Sequence, residues 1–199
     1  LRDRRIDPQQ PGLLDQIELP SSLHALILSR IDQLSEHQKT LLKIASVIGR
    51  LFRAAMLWGV YTHFGDQDRL RADLDALSEL ELTALDTPDP ELAYLFKHIL
   101  TQEVAYTTLP YATRALLHGQ IGQYIENAYQ STLERYIDLL AFHYDHSENE
   151  LKRTEYLLKA GEAAQVGYAN TAAIDYYERV LPLLADAERG AVMLKLGQV

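Results

Sequence analysis

One interruption of helical periodicity limits the fold of this chain more than anything else in its sequence. From residue 21 onward, apolar residues recur almost everywhere at steps of three and four, the spacing that lines one face of an α-helix. The exception is residues 80–97. Two short apolar runs, 80–85 and 92–97, flank the polar stretch Asp86-Thr87-Pro88-Asp89-Pro90-Glu91. Proline breaks a helix interior and presets a turn, so this stretch reads as a β-hairpin. One hairpin set in a run of helices predicts a predominantly all-α chain.

Local signals place the helices. Ser21 or Ser22 can cap a first helix whose buried face is Leu23, Leu26, Ile27, Ile31 and Leu34. Ser35 and Gln38 have the spacing of a capping box, opening a second helix through Leu41, Leu42, Ala45 and Ile48 that stops at Gly49. A third runs over 54–61. The fourth, 66–80, turns Leu70, Leu74 and Leu77 inward and crowds acidic residues into its first turn, where the helix dipole favours them. Three helices and then a hairpin predict a winged helix-turn-helix over 21–109, after a leader at 1–20.

Residues 110–199 return to helix, with breaks at Pro110, 130–131, 147–149, Asn170 and 185–186. Leu157, Ala160 and Gly161 are echoed by Met193, Leu196 and Gly197, close to the roughly 34-residue period of the tetratricopeptide repeat. Ala173 and Tyr177 supply a small-then-large pair for the second helix of such a unit. These positions predict tetratricopeptide-like helical hairpins packed through Leu157, Gly161, Ala173, Tyr177 and Gly197. Tyr156, Tyr168 and Tyr176 are further candidates to fill grooves opposite small residues. The alternative is an irregular helical bundle in which the echo is accidental.

The 199 residues, 47% of them hydrophobic, suffice for one medium core or two small ones. The chain opens on Leu1 and closes on Val199 inside a helical pattern, so it is expected to be a piece of a longer polypeptide, truncated within the repeats. No run nears the roughly 20 apolar residues of a membrane span, and no secretory leader opens the sequence. With zero cysteines as well, the expected location is cytoplasmic. A net charge of −9 repels nucleic acid unless a basic patch overrides it. Arg2, Arg4 and Arg5 sit in a leader broken by Pro8, Pro11 and Pro20, which reads as a linker. In the fourth helix Asp66, Asp68, Asp73, Asp75 and Glu79 outnumber Arg69 and Arg71, so DNA readout by that helix is not expected.

Chemistry is mostly missing. The sequence has no G-x-x-x-x-G-K-[ST], G-x-S-x-G, H-E-x-x-H or G-x-G-x-x-G. His143, Asp145 and His146 offer metal-ligand residue types on one helix. Two histidines three apart in a Tyr-rich helix more often pack or hydrogen-bond, so neither a metal nor a catalytic residue is expected.

The segment Ala93-Tyr94-Leu95-Phe96-Lys97-His98-Ile99-Leu100-Thr101-Gln102-Glu103-Val104-Ala105-Tyr106 resembles a signature of the STAND class of signal-transduction ATPases. Leu19-Pro20-Ser21-Ser22-Leu23, Arg30-Ile31-Asp32-Gln33-Leu34, Ala45-Ser46-Val47-Ile48-Gly49, Leu117-His118 and Tyr156-Leu157-Leu158-Lys159-Ala160-Gly161-Glu162-Ala163-Ala164 fall in the order seen in that class. The resemblance covers about 19–184. It is greatest to the bacterial subgroup fused to a class III adenylate or guanylate cyclase domain, and large ATP-binding transcriptional regulators share the same blocks.

The resemblance implies a non-catalytic regulatory and protein-interaction segment of a multidomain signalling ATPase, whose intact form is a nucleotidyl cyclase, an ATPase or both. ATP or ADP with Mg would then bind the intact protein and no cofactor this segment. Its partners would be the neighbouring nucleotide-binding and output domains of the same chain and a protein on the repeats, with neither DNA nor a membrane. In that class a histidine after the wing hydrogen-bonds the bound diphosphate, and His98 matches it. The usual motif reads Met-His-Asp, whereas here Lys97 and Ile99 flank the histidine.

Overall fold

The computed structural model describes residues 21–61 and 66–199. The leader, with Arg2, Arg4 and Arg5, lies outside the described residues, as do the side chains of Ser21 and Ser22. The chain is predominantly helical, with a small three-stranded antiparallel sheet. Helix α1 (Ser21–Asp32) buries Ile27 and Ile31 but not the whole expected face, since Leu26 is 60% exposed and Leu23 is also exposed.

Helix α2 (Glu36–Ile48) is the centre of the first half. Its capping box is complete, with Ser35 Oγ accepting from the Gln38 N–H and Gln38 Oε1 accepting from the Ser35 N–H, each at 3.2 Å. From Leu41 on it is buried nearly all round. It ends at Gly49, whose φ of 143° lies where a side chain would be strained. Strand β1 (Leu51–Arg53), helix α3 (Ala54–Val60) and helix α4 (Gln67–Glu79) follow, α4 capped by Asp66 and burying Leu70, Leu74 and Leu77.

The hairpin is β2 (Thr83–Thr87) with β3 (Ala93–Phe96), and it is joined by β1 to give the sheet order β1-β3-β2. The sheet therefore exceeds the single hairpin expected from sequence. β1 has three residues, of which only Phe52 is buried, too few to register as an alternation. Phe52 pairs with Tyr94 in the register and its ring lies 6.3 Å from that of Tyr94 and 5.6 Å from that of Phe96. The Tyr94 hydroxyl donates to Asp75 Oδ1 at 2.7 Å, tying α4 to the sheet.

Helices α5 (Ile99–Thr107) and α6 (Tyr111–Ala128) turn at Pro110, the N-cap of α6. A 3-10 segment (Gln130–Tyr136) leads to α7 (Ile137–Asp145), then α8 (Glu150–Val166), α9 (Asn170–Val180) and α10 (Asp186–Leu196). Every break anticipated from sequence falls at one of these junctions. One hydrophobic core runs through both halves, and α5 is joined to α2 by Gln102 Nε2 donating to the Ser46 carbonyl at 3.1 Å.

Removing the α2 cap tests whether the first half depends on it. Ser35→Ala should cost about 1 kcal/mol in urea unfolding, because the Gln38 N–H at the helix start loses its acceptor.

Candidate functional site

His98 stands where β3 gives way to α5. Extended backbone (φ −128°, ψ 133°) makes it the N-cap of α5, its carbonyl accepting from the Thr101 N–H at 3.0 Å. Its side chain makes no capping hydrogen bond and is exposed. Beside it, Lys97 Nζ lies 2.6 Å from Glu81 Oε1, and this contact holds the Glu81 carboxyl below the usual carboxylate range. Arg30 Nη2 donates to the Leu80 carbonyl at 2.5 Å, so the end of α1 closes on the same edge. The result is a polar edge carrying Arg30, Glu81, Lys97 and His98.

The residues expected to pack the repeats separate into two groups. Leu157, Ala160 and Gly161 on α8 meet Ala173 and Tyr177 on α9, all of them buried. A Cβ on Gly161 would stand 2.5 Å from Tyr177 Cε1, so the ring rests directly on helix backbone. The Tyr177 hydroxyl is anchored by Gln165 Oε1 at 2.9 Å. Gly197, expected to repeat the part of Gly161, is instead exposed at the end of α10, where a Cβ would meet only its own helix's carbonyl oxygens at 3.6 and 3.8 Å. Met193 is 59% exposed, and Tyr168, at a φ of 56° in the α8–α9 turn, is 90% exposed. The echo in sequence is thus not an echo in burial, because no ring covers Gly197 among the described residues as Tyr177 covers Gly161.

The helices preceding α8 are tied by a carboxylate that sequence reasoning missed. Glu126 on α6 accepts from the Tyr144 hydroxyl at 2.7 Å, the Tyr156 hydroxyl at 2.6 Å and Lys152 Nζ at 2.7 Å. Burial alone would raise its carboxyl, but hydrogen bonds from Lys152, Tyr156 and Tyr144 outweigh burial and hold it below the ordinary value. The Tyr144 and Tyr156 rings stack at 5.3 Å, and burial together with that carboxylate pushes both hydroxyls well up. Partners 18 and 30 residues apart leave no local pattern to read.

His143, Asp145 and His146 do not converge. Asp145 is held by Arg153 at 2.7 Å and by Arg179. His146 Nδ1 lies 2.8 Å from the Phe142 carbonyl, and His143 Nδ1 lies 2.9 Å from His118 Nδ1 of α6. Among the described residues no group of three His, Asp or Glu side chains is placed to hold a metal, and no helix is long and apolar enough to cross a membrane. Compared with protein-family models, curated proteins and solved structures, the chain has no match.

Two grooves flank the exposed Leu116 of α6. One of about 450 Å³ has an apolar floor of Ile44, Val60, Leu109 and Leu117. The other, about 610 Å³, is mixed, bordered by Gln123, Glu126, Glu148 and Lys152 and by Ala112, Ala115 and Leu116.

The Gly161–Tyr177 contact can be tested by pairing variants. Tyr177→Ala should destabilise the chain by about 3–5 kcal/mol, as for other fully buried aromatic rings. Gly161→Ala should cost about 1–3 kcal/mol by overpacking and add almost nothing once Tyr177 is truncated. Additive losses in denaturant titrations would place the ring elsewhere.

Proposed function

We propose that this chain is a non-catalytic regulatory segment of a multidomain signalling ATPase, a winged helix-turn-helix followed by tetratricopeptide-like helical hairpins, with His98 as the residue that reports nucleotide state. The carrying observation is that His98 is exposed and free of a capping hydrogen bond at a strand-to-helix junction. A side chain so placed can reach a neighbouring domain without disturbing its own. The order α2, β1, α3, α4, β2, β3, with the sheet order β1-β3-β2, supports the winged-helix reading of 21–109. The close α8–α9 pair supports the repeat reading of 110–199, and the exposed Leu116 between its grooves gives a protein partner a foothold.

DNA contact is disfavoured by the helix that would enter a groove. On α4, Arg71 is already 2.6 Å from Asp89, and Asp68, Asp75 and Glu79 are exposed. A phosphate backbone brought against that face meets net negative charge. The same blocks serve large ATP-binding transcriptional regulators, and in such a protein too this segment would pack against protein.

In the intact protein, His98→Ala should loosen ADP and raise basal output. Losing a hydrogen bond to a charged phosphate forfeits about 1.5–3 kcal/mol, a shift of roughly 10- to 150-fold in the closed-to-open ratio. The 199-residue chain carrying the same substitution should melt within a few degrees of its parent, and the parent should give no stoichiometric heat on titration with ATP and Mg. Unchanged ADP affinity and output, together with a collapsed melting temperature of the variant chain, would make His98 a structural residue.

A further inference from the structure

A buried group of imidazoles lies at the seam between 21–109 and 110–199. His118 on α6 and His143 on α7 are both fully buried and share one proton between Nδ1 atoms 2.9 Å apart. His118 Nε2 faces the Tyr106 hydroxyl of α5 at 3.1 Å, so one imidazole bridges α5, α6 and α7. His143 Nε2 is buried with no hydrogen-bond partner. The His146 ring lies 5.1 Å from that of His118, and the Arg114 guanidinium sits 4.8 Å above the Tyr106 ring.

This group takes protons badly. The charges acting on His118 are those of His143, His146 and Arg114, every one positive when protonated. The acidic groups on these elements are Glu103, buried on α5, Glu126 on α6, and Asp138 and Asp145 on α7; Glu126 is taken up by Lys152, Tyr144 and Tyr156, Asp138 lies against the Tyr176 hydroxyl, and Asp145 is held by Arg153 of α8 and Arg179 of α9. Lys43, on α2, lines the groove against α6 and adds a further cation on that side. Burial first, and then the neighbouring imidazoles, press His118 down to about 2, and burial followed by His146 presses His143 down to about 3.

We propose that this seam is an acid-sensitive joint, in which protonation of His118 and His143 releases α6 and α7 from α5 while α2, α4 and the sheet stay folded. The sign follows from proton binding. Closed, the two rings stay neutral down to about pH 3; opened to water, each titrates near its ordinary value of about 6.5. The open form binds more protons between those limits, so closure is favoured above about pH 6.5 and weakens as pH falls. At pH 5 the opening equilibrium should rise about 30-fold for each histidine exposed, or on the order of 1,000-fold for the pair. In the first half, His37 Nδ1 lies 2.6 Å from Asp73 Oδ2.

Hydrogen exchange of the 199-residue chain at pH 7.5 and pH 5.0, read as protection factors, tests the joint. Peptides from α6 and α7 should lose on the order of 1,000-fold of their protection, and those from α2 and α4 less than about tenfold. His118→Gln and His143→Gln should each shrink the α6–α7 loss by about 30-fold, judged from each variant's own ratio between the two pH values, whatever its stability at pH 7.5. An equal loss in both halves, no loss in α6 and α7, or an undiminished ratio in either variant would overturn the proposal.

Discussion

Tyrosine rings resting on bare helix backbone set the spacing of the helical half. A Cβ on Gly59, Gly122 or Gly161 would come within 2.0, 2.8 or 2.5 Å of Tyr124, Tyr144 or Tyr177, respectively, so each of these helix pairs closes only where the side chain is missing. Two of the rings are also fixed at the far end, Tyr144 by Glu126 and Tyr177 by Gln165. A ring held between backbone and a hydrogen-bond acceptor cannot slide along its groove. Shape sets how near the helices lie, and the polar tip sets their register.

Glu126 extends the same logic across three helices, since it gathers donors from α7 and α8 while standing on α6. Asp145 does likewise for α7, α8 and α9 through Arg153 and Arg179. Besides the direct packing of α6 on α3 at Gly59 and Tyr124, this tied stack meets the first half through α5, nine residues long. That helix carries the exposed His98 at its start and Tyr106, partner of the buried imidazoles, near its end. At about 1.5 Å per residue those two positions are only some 12 Å apart. A displacement of α5 by a domain bound at His98 would therefore be felt at the seam.

Most of the fold was legible because it is written locally. The capping box at Ser35 and Gln38, the stop at Gly49, the inward leucines of α4 and the helix breaks all depend on residues within one turn of each other. Strand β1 was not, because its evidence is one buried phenylalanine whose partners, Tyr94 and Phe96, lie about forty residues away. The contact of Gly161 with Tyr177 could be anticipated from the small-then-large pattern; the exposure of Gly197 could not, because sequence cannot say which glycine has a ring opposite. The packing roles of Glu126 and His118 could not be read for a related reason. Each is an ordinary residue on its own helix and acquires its part only from neighbours brought in by the fold.

The small sheet has a bearing on how the chain behaves among its own copies. β1 and β2 are its outer strands, and an outer strand is where an extended segment of another copy could add to a sheet. β1 is too short to seat a guest and ends at the charged Arg53, while β2 carries Asp86, has a register irregularity between Leu85 and Thr87, and runs into Pro88. A growing cross-β ladder needs several flat, uncharged residues in a row, and neither edge supplies them. Short length at one edge, and an irregular register, a charge and a proline at the other, thus guard the sheet against self-association into fibres.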